Sequence, residues 1–204
     1  MNHQKMHDMN LKVIFNPFEK IAGTKSLFFG LAAVLVTGTI GYFSKTHFDG
    51  ILNIHSGMQL AWYVHVAAPI LSVAVIAIWF WLFVVIFGKQ NVRVIDVVGT
   101  QFFAFIPLVP ASVLGFFEVT VVVAEALQKF GANPAGALDI AASQMLVFVV
   151  LMIILMLLTV WSAIWIYKGY KVAANLPNHI HIPVYITGII VGMIVPKLLI
   201  PLII

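Results

Sequence analysis

Apolar residues fall in five long blocks along this chain, at about 26–43, 60–87, 97–123, 145–167 and 184–204, with short polar gaps between them. Each block approaches the ~20 residues that a helix rising 1.5 Å per residue needs to cross about 30 Å of hydrocarbon. Backbone groups exposed to lipid must bond within their own segment, and a barrel would show alternating segments of about ten residues, which are absent. The pattern therefore predicts an all-α polytopic membrane protein, a bundle of five transmembrane helices. Residues 1–25 form a short polar N-terminal region and 26–204 the membrane domain. The first span lacks a convincing small-x-small cleavage site after its apolar core and is expected to be retained.

Charge gives the bundle a direction. Lys5, Lys12, Lys20 and Lys25 precede the first span, Lys89 and Arg93 occupy the second gap, and Lys168 and Lys171 the fourth. The first and third gaps hold only Lys45 and Lys129, so the positive-inside rule predicts a cytoplasmic N-terminus and an outside C-terminus. Aromatic residues fit that layout, with Tyr42, Trp62 and Tyr63 at outer ends and Trp79, Trp81, Trp161, Trp165, Tyr167, Tyr170 and Tyr185 near inner ends. Ala33, Thr37 and Gly41 on the first span, and Gly188 and Gly192 on the last, have the four-residue spacing of close helix contacts, and internal packing is favoured over an oligomer interface.

Composition narrows the chemistry. The chain is 62% hydrophobic and 9% charged, which is too little charge to solvate a soluble surface of 204 residues. Its net charge of +4 comes from lysines scattered beside the blocks, a topology signal that gives no reason to expect nucleic acid. There is no cysteine, which excludes disulfides, thiolate catalysis and cysteine-based zinc sites. HExxH and GxSxG are absent, so no enzymatic activity is expected, and no cofactor.

Several polar residues stand out against this apolar background. Glu118 lies about 32 Å along a straight helix begun at Val97, which makes it either an interfacial carboxylate or a buried functional acid if Pro107 and Pro110 break the span. Lys197 follows Pro196 in the outer half of the last span and is expected to snorkel or to neighbour Glu118, since an unpaired charge there is expensive. His47, Asp49, His55 and His65 gather around the first outer gap. If that gap were helical, His47 and His55 would stand ~12 Å apart, too far to share an ion without a turn between them. Phe48, Ile51, Leu52 and Ile54 suggest instead a segment lying in the membrane interface. His179 and His181 do not complete a coordination shell. Arg93, Asp96, Thr100 and Gln101 make the densest polar stretch beside the bilayer, suited to topology marking, anionic lipid or a cytoplasmic partner.

Three stretches, NPFEKIAG at 16–23, THFDGILNIH at 46–55 and RVIDVVGTQFFAFIP at 93–107, resemble bacterial members of the Yip family, and YKGYKVAANLP at 167–177 is similar to that family's closing region. The resemblance implies five spans with a cytoplasmic N-terminus. It is named for eukaryotic proteins that interact with Ypt/Rab GTPases through a longer cytoplasmic region, so GTPase binding is not carried over to this chain. Phe105 stands where the family often has a basic residue. The function expected is therefore that of a non-enzymatic protein of the bacterial cytoplasmic membrane, organising the bilayer or binding other membrane proteins or a second copy of itself. The alternative is a small-solute or ion transporter built on the proline-broken third span.

Overall fold

The computed structural model describes residues 14–57, 59–88, 92–132, 140–174, 176 and 178–202; Lys5, Lys12, Lys89 and Pro177 lie outside them. Five helical segments are long and apolar enough to cross a membrane: Gly23–Ser44, Trp62–Phe87, Val94–Phe116, Ala142–Ala174 and His179–Leu202. The helices are α1 (Gly23–Ser44), α2 (Trp62–Phe87), α3 (Val94–Phe103), α4 (Glu118–Ala132), α5 (Ala142–Ala174) and α6 (Asn178–Leu199). Between α1 and α2 lies an antiparallel ribbon of β1 (Thr46–Phe48) and β2 (Ile54–Ser56). The fold is all-α as expected, with this short ribbon as an insertion between two helices. The gap does not rest in the interface, because Phe48 and Ile51 are each 1% exposed within the bundle core.

The third block is not one helix from 97 to 123. After α3 the chain tightens into a 3-10 helix at Ile106–Phe116, turns at Phe117, and starts α4 at Glu118. Pro107 and Pro110 cause the change, because neither has an N–H to return to the carbonyl four residues earlier. The Leu108 N–H bonds instead to the Phe105 carbonyl at 2.9 Å, a tighter three-residue closure. Packing maintains this otherwise unfavourable run: 72% of the span's apolar window is buried, and Phe105, Leu108 and Ala111 have no exposure.

Glycines set the closest approaches. α1 packs most extensively against α3. A Cβ on Gly30 would strike the backbone of Phe102 and Phe103, and one on Gly99 would come within 2.7 Å of the Gly23 carbonyl oxygen. Gly38 faces the backbone of His65 and Val66, so the working face of α1 is Gly30, Val34, Thr37, Gly38 and Gly41, with Ala33 at its edge. Gly188 receives the Phe80 ring of α2, and Gly192 faces Ile51. The small residues of the first and last spans thus serve internal packing.

The chain ahead of α1 is anchored. Phe18, within a 3-10 turn at Pro17–Glu19, is 1% exposed and meets Phe103 and Trp165 edge-on with ring centroids 5.8 and 6.0 Å away. The indole N–H groups of Trp161 and Trp165 both donate to the Ile14 carbonyl, at 3.1 and 2.7 Å.

Gly30→Leu is expected to lower the thermal midpoint in detergent by the equivalent of about 1–3 kcal/mol, the usual penalty of overpacking against a part that cannot move. Gly131→Ala, where an added Cβ meets nothing within 4 Å, should leave the midpoint unchanged or raise it slightly.

Candidate functional site

The polar groups converge where the ribbon enters the bundle. α1 ends at Ser44, and Lys45 takes the left-handed conformation (φ 58°) while its N–H caps the Gly41 carbonyl. That reversal turns Thr46 inward, where it has no exposure. The Thr46 hydroxyl accepts from the Gly115 N–H at 3.0 Å and lies 3.0 Å from the Ser44 hydroxyl, which is 2.5 Å from the Ser112 carbonyl. A carbonyl only accepts, so the Ser44 proton goes to Ser112 and Thr46 donates to Ser44 in turn. One short relay thereby ties the end of α1 to the Ser112 carbonyl and Gly115 N–H of the 3-10 helix.

On its other side Thr46 binds α2. Its carbonyl lies 3.0 Å from His65 Nδ1, which must carry the proton, leaving Nε2 as a buried lone pair without a partner. The His47 ring meets His65 edge-on with centroids 5.5 Å apart, and His47 Nδ1 is likewise buried and unpartnered. The far end of the ribbon is held by α6. Pro196 has no N–H for the Gly192 carbonyl, and the Ile51 N–H supplies it at 3.0 Å. Asn53 Nδ2 donates to the Met193 carbonyl at 3.3 Å.

The ribbon's register pairs His47 with His55 directly, supplying the turn between them that a helical gap would lack. His55 Nε2 lies 3.2 Å from Asp49 Oδ2. Burial works against the Asp49 charge, but the His55 hydrogen bond and the positive charges of His55 and Lys197 outweigh it and hold the carboxyl below its usual range. Burial, and then the neighbouring His65, push His47 down to about 4, with Asp49 acting in the opposite direction. Among the described residues no group of three or more histidine, aspartate or glutamate side chains is placed to hold a metal ion.

Lys197 bears on the Asp49 charge, and it forms no ion pair with Glu118 within 4 Å. Only two ion pairs form among the described residues, His55–Asp49 and Arg93–Asp96. The reason is the break at Phe117, which puts Glu118 at the exposed start of α4, lining an open cavity of about 380 Å³ with Lys45 and Glu125. Glu118 is thus an exposed carboxylate in the first turn of α4.

Arg93 and Asp96 lie at the opposite end of α3, 3.2 Å apart, with Arg93 largely in solvent. Gly23, at φ +61°, lies under Asp96; a Cβ there would approach the carboxylate to 3.2 Å. Gln101 is wholly buried, its Nε2 reaching the Ile166 carbonyl at 3.5 Å and its Oε1 unpartnered. Sequence reasoning gathered His47, Asp49, His55 and His65 but missed Thr46, Ser44 and Ser112, which carry the network. The one sequence signal for the ribbon's inward position was Pro196, whose missing N–H leaves the Gly192 carbonyl for the Ile51 N–H to fill. No family model, curated protein or solved structure matches this chain.

His47 yields a pH prediction. In the folded protein it takes a proton only near pH 4, and in the unfolded chain near 6.5, so the unfolded chain binds more protons between those values. Its contribution is complete above pH 6.5 and is lost as pH falls toward 4, by at most about 3 kcal/mol. Thermal midpoints in detergent should fall over that window, and His47→Gln should flatten the fall; an unaltered slope would remove His47 as its source.

Proposed function

We propose that this chain is a non-enzymatic integral membrane protein that organises the bilayer or other membrane proteins, a bacterial relative of the Yip family that its sequence resembles. In this reading the N-terminus is cytoplasmic and the C-terminus outside, as the distribution of lysine and arginine favours.

The observation that carries the proposal is the filling of the third span. A transporter built on a proline-broken helix needs freed backbone and polar side chains along a passage. Here the break is occupied by Phe105, Leu108 and Ala111, none of them exposed, and these residues separate Gln101 from the Ser112–Thr46 network along the span. The Gly192 carbonyl that Pro196 leaves without a helical donor is taken by the Ile51 N–H. The stretches that carry the family resemblance have packing roles as well. The first anchors Phe18, the second forms the ribbon, and the third runs from the Arg93–Asp96 pair into the 3-10 turn. Such use of residues suits a rigid membrane body better than a moving carrier.

Purified protein reconstituted into vesicles should pass protons, potassium and small neutral solutes no faster than protein-free vesicles do. Flux well above that background, abolished in Glu118→Gln, would establish the transporter reading instead. Tags at the two termini, probed from outside in intact cells, should be accessible at the C-terminus alone.

A further inference from the structure

The cavity beside Glu118 has a composition that the packing does not explain. It is lined by Gly57 and Gly115, by the apolar Phe43, Phe116 and Val121, and by the charged Lys45, Glu118 and Glu125. Gly115 cannot carry a side chain, because a Cβ there would strike the Ser44 carbonyl, and Gly57 holds φ +90°, so both openings are built into the backbone. Glu118 and Glu125 are seven residues apart on α4 and share one helix face. Lys45 has the opposite sign and lines the same space, yet forms no ion pair with either glutamate within 4 Å. Opposite charges facing one cavity without touching leave room for a ligand that carries both signs.

Position identifies the kind of ligand. Lys45 follows the last residue of the first span and Glu118 lies two residues past the end of the third, so the cavity, on the membrane reading proposed above, lies at the level of lipid headgroups. Below it, Leu35, Val36, Thr39 and Ile40 line an open, nearly all-apolar groove on α1. At four-residue spacing Leu35 and Thr39 lead to Phe43, a wall of the cavity, so groove and cavity follow one stripe of the same helix.

We propose that this stripe and cavity bind one phospholipid with a primary-amine zwitterionic headgroup, of the phosphatidylethanolamine class. Lys45 takes the phosphate, Glu118 and Glu125 take the ammonium, and an acyl chain runs down α1 from Phe43 to Leu35. A primary ammonium donates hydrogen bonds to carboxylates, whereas the quaternary ammonium of phosphatidylcholine has no N–H and phosphatidylglycerol has no cation.

The test is native mass spectrometry of the full chain released from bilayers that mix phosphatidylethanolamine, phosphatidylcholine and phosphatidylglycerol equally. One phosphatidylethanolamine should be retained per chain, at least about fivefold over either competitor. Combined Glu118→Gln and Glu125→Gln should erase that preference, and Lys45→Gln should weaken retention of the lipid. These positions are exposed, and unchanged thermal midpoints will show that the variants fold. Equal retention of the three lipids, or an unaltered preference in the double variant, overturns the proposal. Displacement of the lipid by micromolar free phosphoethanolamine would also overturn it, in favour of a soluble headgroup ligand.

Discussion

A backbone group deprived of its partner inside an apolar bundle has no water to accept it, and this protein is organised around that constraint. Pro107 and Pro110 in the third span, and Pro196 in the last, each remove a backbone donor. The 3-10 helix at Ile106–Phe116 absorbs part of the deficit by closing its turns one residue early. The ribbon answers the rest from outside: the Ile51 N–H reaches the Gly192 carbonyl, and Ser44 and Thr46 serve Ser112 and Gly115. A gap of modest length is drawn inward because two spans need its hydrogen bonds.

Packing follows from the same economy of groups. Lipid tails are as apolar as leucine, so helices gain little from burying apolar area alone and must instead approach closely. α1 does so with Gly30 against the α3 backbone and Gly38 against α2, which brings Thr46 within reach of His65. At the other end of the bundle, Phe103 stacks on Trp165 at 5.5 Å, and Phe18 closes the pair from its edge. The two ends thus use different physics, a polar relay at one and an aromatic clasp at the other.

Much of the architecture was legible because hydropathy over twenty residues is a strong signal, and all five blocks reappear as spans. What sequence reasoning lost was local. The run from 97 to 123 is continuous in hydropathy, and hydropathy does not report that a helix has tightened at Pro107 or turned at Phe117, so Glu118 was extrapolated along a straight axis. Thr46–Phe48 and Ile54–Ser56 are too short for alternation to declare a strand. Phe48 and Ile51 look alike in an interface and in a core, and only the needs of distant carbonyls decide between them. Lys197 was expected near Glu118 on shared depth alone, but depth does not fix position around the bundle, and no ion pair joins the two.

α5 adds a different property. At 33 residues it is a rod about 50 Å long, in a hydrocarbon slab of about 30 Å. Its fully buried residues all fall from Ser162 onward, and only 6% of its most apolar window is covered by protein. The half before Ser162 is touched by the core only through a stripe that includes Leu151, Leu155 and Leu158, so α5 is held most tightly at its far end. A helix longer than the slab it would cross takes up the excess by tilting, and that tight grip is where such a tilt would pivot.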